Sequence, residues 1–379
     1  MSGSVMGGSA ILRSKSEAGD LALLRGALLT WYRRHRRRLP WRETRDPYRI
    51  WVSEILLQQT QVATATPYYA RFLTRFPSVR ALARAPLDDV LAAWAGLGYY
   101  RRARHLHAAA KWVVREHAGR VPSEPRAFAA LPGVGRYTAG AVLSIGFGVP
   151  LAVLDGNVAR VLARLTARPL AIRRPADARS LWALAEAWMP RRPGPDPGTW
   201  NQALMELGAT VCTPRAPRCE RCPVRAHCRA LAAGLEQSLP PTPELPPVSR
   251  DRRAIALVER RGRTMLVRRE GALLQGLWEP PGVELARGES AGEPLLRTLA
   301  GLGVRGEPIP TSVKIRHTIT RHDITVEVWR CRPEGRLPAA GPRLAWVVPG
   351  ETRLALTALA RRVLDAAVAL PPRRAKVRA

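Results

Sequence analysis

Apolar residues follow two different periodicities along the chain. Up to about residue 230 they recur every three or four positions, as Leu21, Leu24, Leu28 and Trp31 do within residues 20–38. That spacing predicts amphipathic helices there and over residues 67–118, 176–189 and 198–210. After residue 250 apolar and polar residues alternate, which predicts strands. The sequence therefore predicts a helical part followed by an α+β part.

The second part is predicted to contain a hairpin, longer strands and a closing helix. RRAIALVER and RTMLVRRE form the hairpin around Gly262, IRHTITRHDITVEVWRC is one long strand, RLAWVVP is another, and LALTALARRVLDAAVAL is the helix. Residues 233–250 are rich in proline and lack periodicity, as linkers do. We expect a flexible tail over 1–19, a helical domain over 20–232, the linker, an α+β domain over 251–369 and a basic tail over 370–379.

One predicted helix carries an acid inside an apolar stretch. With Asp46 as its N-cap and Pro47 as its first residue, this helix is expected to run to about Val62. Glu54 lies within WVSEILLQQTQV, and the glutamines four and seven positions further on share its helix face. A carboxyl group among apolar neighbours tends to hold its proton, so Glu54 is a candidate general acid. The alternative is an exposed helix glutamate.

The composition of the chain indicates a polyanionic partner. Its 379 residues include 61 Lys and Arg against 30 Asp and Glu, a formal net charge of +31. A surplus of this size favours DNA or RNA. No apolar run is long enough to span a membrane, and the N-terminus lacks the apolar core of a signal peptide. We therefore expect a cytoplasmic protein that associates with the nucleoid and not with a membrane.

A glycine-containing turn and a later acid form a second candidate site. LPGVGRYTAG places Gly133 and Gly135 before a helical run, where backbone amides at the helix start suit a DNA phosphate. Asp155 follows within LDGNVARVLAR, directly before another helix. Taken alone, such glycines usually form only a turn, and such an aspartate is usually only an N-cap.

Four of the five cysteines fall in one short segment. Cys212, Cys219, Cys222 and Cys228 are separated by six, two and five residues. Without an export signal, this clustering argues for a metal centre rather than disulfides. Zinc held by four thiolates is the general alternative, although the spacing matches neither the ferredoxin nor the usual zinc-ribbon pattern. Arginines alternate with these cysteines, which suits a loop that contacts phosphate.

Together these motifs resemble a known superfamily. LPGVGRYTAG with LDGNVARVLAR is similar to the helix-hairpin-helix DNA glycosylases of the endonuclease III superfamily, and the cysteine spacing is that of their [4Fe–4S] loop. WVSEILLQQTQV, PWRETRDPY and GLGYY resemble one branch, the MutY-type adenine DNA glycosylases. The resemblance implies a mainly α helix-hairpin-helix glycosylase fold with a [4Fe-4S] cluster on the four cysteines. More loosely, residues 252–368 resemble the C-terminal α+β Nudix-like domain of that family.

The same resemblance implies roles for five residues. Glu54 protonates the adenine, while Asp155 stabilises the sugar cation or bonds to it transiently as the glycosidic bond breaks. Tyr137 and Asn157 position Asp155 and the attacking water, and Arg42 lines the base pocket. Bifunctional glycosylase/lyases carry a lysine where Tyr137 stands, so a monofunctional enzyme that leaves an abasic site is implied. The target base must first leave the duplex.

The implied partner is double-stranded DNA in which adenine stands opposite 8-oxoguanine or guanine. In relatives, a Phe-Ser-His loop of the C-terminal domain reads the oxidised base. Here the loop is Ile319-Thr320-Arg321, in which Thr320 keeps the hydroxyl group and arginine changes the contact. The other residues implied to contact the oxidised base or intercalate beside it are Gln59, Thr60, Leu97 and Tyr99.

Other functions stay open at this stage. One is a glycosylase/lyase of the endonuclease III type, and another is a non-catalytic DNA-binding protein, which the presence of both Glu54 and Asp155 disfavours. A working Nudix hydrolase needs several glutamates on one helix to hold magnesium. GVELARGESAGEPLLRTLAGLGV has Glu284, Glu289 and Glu293 but no paired acids in its helix, which predicts a binding module. We expect a monomer.

Overall fold

The computed structural model describes residues 15–190, 193–241, 247–271, 274–319, 321–352 and 354–368. The chain separates into two units, formed by Met1–Arg84 with His105–Glu244 and by Ala85–Arg104 with Leu245–Ala379. Residues 85–104 lie within the segment predicted as one helical domain, yet they pack with the second unit. Residues 1–14, Thr320 and the tail 370–379 lie outside the described residues.

Helices account for the regular structure up to residue 232. They are α1 Lys15–His35, α2 Pro47–Leu57, α3 Val62–Arg75, α4 Val79–Arg84, α5 Leu87–Ala93, α6 Arg101–Glu116, α7 Pro125–Ala129, α8 Arg136–Phe147, α9 Gly156–Leu165, α10 Pro175–Ala187, α11 Pro197–Thr210 and α12 Arg229–Ala232. α1 begins at Lys15, so residues 15–19 are helical although the sequence assigned them to a flexible tail.

The prediction that one helix runs from Pro47 to Val62 is wrong at its C-terminal end. α2 starts as predicted, with the Asp46 carboxylate accepting a hydrogen bond from the Tyr48 amide at 2.8 Å. It ends at Leu57, because Gln59 adopts a left-handed conformation with φ 55°. A left-handed residue cannot continue a right-handed helix, so the chain turns before α3 starts.

Close helix contacts hold the centre of the first unit. α2 packs against α8, and α11 packs against both α8 and α9. At Gly208 of α11, an added Cβ would lie 2.7 Å from the Asn157 side chain, so only glycine permits this approach. Gly198 allows α11 the same approach to α8, where an added Cβ would lie 2.6 Å from Ile145. These contacts fix the N-terminus of α9 against α11.

The second unit is built on a mixed β-sheet. Its elements are β1 Ser249–Arg260, β2 Arg263–Arg268, β3 Trp278–Glu279, β4 Gly282–Leu285, α13 Gly292–Gly301, β5 Pro308–Ile319, β6 His322–Cys331, β7 Leu344–Val347 and α14 Ala358–Val368. The strand order is β3-β2-β1-β6-β5, with β4 also paired to β1 and β7 to β2. β1 and β6 run parallel, with Ser249 opposite His322.

The predicted single strand over IRHTITRHDITVEVWRC is wrong, whereas the loop that the family resemblance implied at residues 319–321 falls between the end of β5 and the start of β6. β5 and β6 form an antiparallel pair in which Ile319 lies opposite His322, so the chain reverses between them. The alternation of apolar and polar residues correctly predicts strand structure on both sides of the reversal. Because the alternation continues across the reversal, it does not show where the chain turns. The predicted pair around Gly262 is present as β1 and β2, with Gly262 at φ 72°.

Alternating side chains of the sheet build two cores. Ala254 and Ala256 of β1 pack on one face with Leu295 of α13. Ile255 and Leu257 pack on the opposite face with α14. Because successive side chains of β1 point to opposite faces of the sheet, α13 and α14 pack on opposite faces. None of the described helices is both long enough and apolar enough to cross a membrane.

Candidate active site

Glu54 lies on the buried face of α2. It is 6% exposed, and its neighbours Ser53 and Ile55 are buried as well. Its Oε2 accepts a hydrogen bond from the Tyr137 hydroxyl at 2.8 Å. Burial raises the pKa of Glu54 to about 7; the Tyr137 hydrogen bond opposes this rise, and the negative charge of Asp155 adds to it. Both protonation states of Glu54 are therefore populated near neutral pH.

Asp155 caps the N-terminus of α9. Its Oδ1 accepts a hydrogen bond from the Val158 amide at 2.7 Å, and its Oδ2 accepts one from the Asn157 side-chain amide at 3.0 Å. Burial raises the pKa of Asp155, while these hydrogen bonds lower it. The positive end of the helix dipole also favours the carboxylate. The N-cap and the candidate catalytic acid are the same residue, so the two interpretations do not exclude each other.

Tyr137 lies close to both acids, since it is hydrogen-bonded to Glu54 and the charges of Glu54 and Asp155 both act on it. It was predicted to position Asp155, but its hydroxyl donates to Glu54 and lies 3.4 Å from Met205 Sδ. Burial raises the pKa of Tyr137 far above its usual range, and the charges of Glu54 and Asp155 raise it further. The phenol therefore stays a neutral hydrogen-bond donor. The structure brings Glu54, Tyr137, Asp155 and Asn157 into one site.

Arg42 is held beside this site by an acid that the sequence reasoning missed. Its Nη2 donates to Glu206 Oε2 at 2.7 Å, and Arg37 donates to the same oxygen at 2.7 Å. Burial alone would raise the pKa of Glu206, but the two arginines hold it at about 2. The positive charge of Arg42 lowers the pKa of Glu54. Glu206 follows Met205 within α11, and an acid flanked by apolar residues is the signal that identified Glu54.

The predicted phosphate-binding turn precedes α8. Gly133 has φ 75°, and an added Cβ would lie 2.5 Å from His105 Cβ, so glycine is required there for two reasons. Gly135 is exposed and is the N-cap of α8, with open space around its Cα. The first amides of a helix have no partner within the helix and can donate to a phosphate oxygen.

The four cysteines Cys212, Cys219, Cys222 and Cys228 line one cavity of the first unit. Among the described residues, no group of three or more His, Cys, Asp or Glu side chains is arranged to hold a metal ion. Four thiols around one cavity are nevertheless the donor set of structural zinc sites and iron–sulfur clusters. The arginines of this segment are exposed, as a phosphate-contacting loop requires: Arg215, Arg218, Arg221, Arg225 and Arg229.

Two arginines one turn apart on α9 join the cysteine segment to the candidate acid. Arg160 Nη2 donates to Asn157 Oδ1 at 2.9 Å, and its Nε donates to the Cys212 carbonyl at 2.8 Å. Arg164 is 1% exposed and donates to Cys212 Sγ at 3.3 Å. A continuous series of hydrogen bonds thus runs from Asp155 through Asn157 and Arg160 to Cys212. The sequence reasoning missed both arginines, although two charges in the otherwise apolar VARVLARL were the available signal.

The residues predicted to contact the oxidised base differ in their accessibility. Gln59 is exposed in its left-handed turn, and Thr60 beside it is half-buried. In the second unit, Tyr99 is 43% exposed and has φ 47°. Leu97 is buried in the same unit, so its predicted contact with a base is not available in this structure.

A histidine that the sequence reasoning missed lies just after the predicted reading loop. His322 Nδ1 lies 2.7 Å from Asp251 Oδ2 and 2.8 Å from Ser249 Oγ. These two partners are on β1, and they hold the imidazole at the start of β6. The signal was available in ITRH, where the histidine stands one position after Arg321.

Of the three acids considered for a Nudix site, Glu289 and Glu293 have separate local partners. Glu289 Oε2 accepts a hydrogen bond from the Ala286 amide at 2.7 Å. Glu293 forms an exposed ion pair with Arg297 at 3.3 Å along α13. Glu284 is exposed on β4.

Comparisons with known proteins match both units. Residues 52–182 match a family described as HhH-GPD superfamily base excision DNA repair protein, and residues 253–366 match the NUDIX domain. The adenine DNA glycosylases of Rattus norvegicus and Homo sapiens are each 36% identical over 407 residues. These alignments cover 91% of this chain and 78% of the rat or 73% of the human protein.

Solved structures are also similar to part of the chain. A thermostable thymine-DNA glycosylase is 31% identical with a TM-score of 0.53, covering 58% of this chain and 100% of the other. With the two family matches, this confirms the predicted fold class, a helix-hairpin-helix glycosylase fold followed by a Nudix-like domain.

Proposed function

Since the chain belongs to the adenine DNA glycosylase family, we propose that it removes adenine from duplex DNA where the adenine stands opposite 8-oxoguanine or guanine. Family membership makes the chain a DNA-binding glycosylase of base excision repair. The proposal adds the mispair and a hydrolytic mechanism without lyase activity. The observation that carries it is the linked pair of acids, Glu54 with a raised pKa and Asp155 at a helix N-terminus.

Glu54 supplies the proton. Adenine is a poor leaving group as an anion, so protonating a ring nitrogen lowers the barrier to breaking the glycosidic bond. A pKa of about 7 leaves Glu54 protonated often enough to act at neutral pH, and acidic enough to transfer the proton. The neutral Tyr137 hydroxyl orients the carboxyl group by donating to Oε2.

Asp155 faces the positive charge that develops on the deoxyribose. As the base leaves, the sugar becomes cation-like, and a nearby carboxylate stabilises it or bonds to it transiently. Hydrogen bonds from the Val158 amide and the Asn157 side chain hold both oxygens of Asp155 in place. The negative charge that Asp155 must keep is the same charge that helps Glu54 hold its proton.

The absence of a lysine in α8 supports hydrolysis rather than lyase chemistry. A lyase needs an amine that attacks the sugar and forms a Schiff base. In RYTAGAVLSIGF the position next to Arg136 is Tyr137, and this helix contains no lysine. Water therefore completes the reaction, and the product is an abasic site.

A [4Fe-4S] cluster is the group that we propose for Cys212, Cys219, Cys222 and Cys228. The spacing of six, two and five residues and the shared cavity support it. Glycosidic hydrolysis moves no electrons, so it does not require a redox role of the cluster. We therefore expect the cluster to have a structural role, which is to stabilise the loop. The buried Arg164, which donates to Cys212 Sγ, would balance part of the negative charge of a thiolate-bound cluster.

Recognition of the base opposite adenine is assigned to exposed residues. Gln59 stands in a strained left-handed turn, and strain of this kind is often kept at functional sites. Tyr99 presents an exposed ring that can stack on a base. We also propose that the protein acts as a monomer in the cytoplasm, bound to chromosomal DNA.

The decisive experiment measures adenine release in single turnover from duplexes with adenine opposite 8-oxoguanine and opposite guanine. Wild type should release adenine from both, and Glu54→Gln should be inactive on both. Borohydride added during the reaction should trap no protein–DNA adduct. Failure to release adenine from either duplex would refute the proposal, whereas a trapped adduct would reassign the protein as a glycosylase/lyase.

The cofactor is tested separately. We expect a brown protein with iron and acid-labile sulfide in equal amounts, and colour lost when Cys219→Ser is introduced. If the wild-type protein is colourless and contains stoichiometric zinc, the four cysteines hold zinc and not an iron–sulfur cluster. Size-exclusion chromatography with light scattering tests the monomer.

A further inference from the structure

Within the second unit, the segment Ala85–Arg104, which carries Tyr99, is held by the Nudix-like residues 253–366 through three contacts. At the start of α5, the Asp88 carboxylate accepts a hydrogen bond from Arg268 Nη2 at 2.6 Å. At the start of α6, Arg104 donates to the carbonyl of Gln275. These contacts involve both helices that flank Tyr99.

The third contact lies directly beneath the loop between those helices. The Tyr100 hydroxyl donates to the Leu356 carbonyl at 3.5 Å and accepts from the Gly96 amide at 3.2 Å. Tyr100 is buried, whereas Tyr99 beside it is exposed. The buried tyrosine therefore connects the backbone of the loop to the segment that precedes α14.

The loop itself is shaped so that Tyr99 points outward. Gly98 and Tyr99 both have positive φ, 71° and 47°. The Gly98 carbonyl accepts hydrogen bonds from Trp94 Nε1 at 3.2 Å and from Arg102 at 3.3 Å. The Arg102 guanidinium lies over the Tyr99 ring at 5.6 Å. A left-handed tyrosine costs conformational energy, so surrounding contacts must keep it in place.

The charges of Asp88, Arg268 and Arg104 influence one another. Burial lowers the pKa of Arg104 most, the positive charge of Arg268 lowers it further, and the negative charge of Asp88 raises it. Asp88 is thus the carboxylate that balances two neighbouring arginines. Gly276 makes room for this arrangement, since an added Cβ would meet the Arg104 guanidinium. Removing Asp88 leaves two like charges facing each other and should loosen the segment more than removing Arg268 does.

From these contacts we propose that Asp88, Arg268 and Arg104 are positioning residues for base recognition. They hold α5 and the start of α6 in the conformation that leaves the Tyr99 ring exposed and free to stack on a base. The Nudix-like residues 253–366 therefore contribute to discrimination by presenting this tyrosine, in addition to any contact of their own with DNA. This inference rests on the proposed recognition of 8-oxoguanine.

The test uses the full chain with Asp88→Asn and Arg268→Gln. The ratio of single-turnover adenine release rates opposite 8-oxoguanine and guanine is measured for each. Because exposed ion pairs have small energies, we expect each variant to lower this ratio by about threefold to fivefold, with Asp88→Asn at the upper end. The double variant Asp88→Arg/Arg268→Asp should recover most of the loss. Glu293→Gln and Arg297→Gln, which change the net charge equally in the exposed pair on α13, are matched controls.

A double-mutant cycle separates positioning of Tyr99 from a general structural effect. Adding Asp88→Asn to Tyr99→Ala should lower the ratio no further than Tyr99→Ala alone, because the residue being positioned is then missing. Additive losses, or equal losses in the α13 controls, would overturn the inference.

A second measurement does not depend on catalysis. Fluorescence of 2-aminopurine placed next to 8-oxoguanine reports stacking at that step when the protein binds. Asp88→Asn should reduce the wild-type change in fluorescence as Tyr99→Ala does. An unchanged signal overturns the inference, whereas absence of adenine release by wild type refutes the proposed function instead.

Discussion

Among the described residues, the first unit buries more charged side chains than the second. In the first, Glu54, Glu206 and Arg164 are all at least nine-tenths buried. In the second, many pairs stay in solvent, as in Arg297–Glu293, whose side chains are 68% and 78% exposed. Glu279 with Arg253 and Arg269 is a buried exception. Burial is what moves the pKa of Glu54 to about 7, and this candidate general acid lies in the first unit.

Buried and exposed arginines of the first unit also differ in what they contact. The arginines of the first unit that lie nearest the acids are committed to protein partners, such as Arg42 to Glu206 and Arg160 to Asn157. Their guanidinium groups are thus engaged in hydrogen bonds within the protein. Exposed arginines, such as Arg218 and Arg225 in the cysteine segment, are the ones available to phosphate. A net charge of +31 therefore does not by itself identify which arginines bind DNA.

The largest expected effect comes from removing the proton donor. Glu54→Gln keeps the shape and the hydrogen bond from Tyr137 but cannot donate a proton of suitable acidity. Adenine release should fall by about a thousandfold or more. The measurement is single-turnover release with saturating protein, and duplex affinity serves as the control. A loss below about tenfold would mean that another group protonates the base.

The pH dependence sharpens the same point. Only protonated Glu54 can donate, so the rate should fall about tenfold per pH unit above pH 7. On the acid side the rate should also fall, because Asp155 must be ionised, and its raised pKa moves that fall to a higher pH than for an exposed aspartate. A rate that stays flat from about pH 6 to about pH 9 would exclude Glu54 as the acid. Duplex binding over the same range is the control.

A buried ion pair should matter more for stability than an exposed one. Glu206→Gln leaves Arg42 buried without a carboxylate, and we expect the free energy of unfolding to fall by about 3 kcal/mol. Glu293→Gln removes an acid of an exposed pair and should cost less than about 0.5 kcal/mol. Denaturant unfolding of both full-length variants measures the difference. Equal losses would contradict the contrast between the units.

The smallest effect is expected from the acids near α13. Replacing Glu284, Glu289 and Glu293 together by glutamine should leave adenine release within about twofold of wild type, because Glu289 and Glu293 have separate local partners and Glu284 is exposed. Wild type should also show no magnesium-dependent hydrolysis of nucleoside triphosphates. Hydrolysis that disappears in the triple variant would make the second unit an active Nudix enzyme.

Local patterns were sufficient where one stretch of sequence determines the outcome. Asp46 and Pro47 correctly predicted the start of α2. The alternation of apolar and polar residues correctly predicted β1 and β2. They were not sufficient at the turn of Gln58–Gln61 or at the reversal between β5 and β6. Neither contains glycine or proline at the decisive position, so no turn residue marks the break, and only the family resemblance indicated a loop at residues 319–321.

The sequence by itself determined the periodicity of the elements, the candidate acids and the grouping of four cysteines, because each is written in neighbouring residues. Only the tertiary structure decided that Tyr137 bonds to Glu54, that Glu206 holds Arg42, that Arg160 joins Asn157 to Cys212, and that residues 85–104 pack with the second unit. These partners are far apart along the chain. Their pairing depends on which buried polar groups must satisfy one another once the helices have packed, and no local pattern encodes that choice.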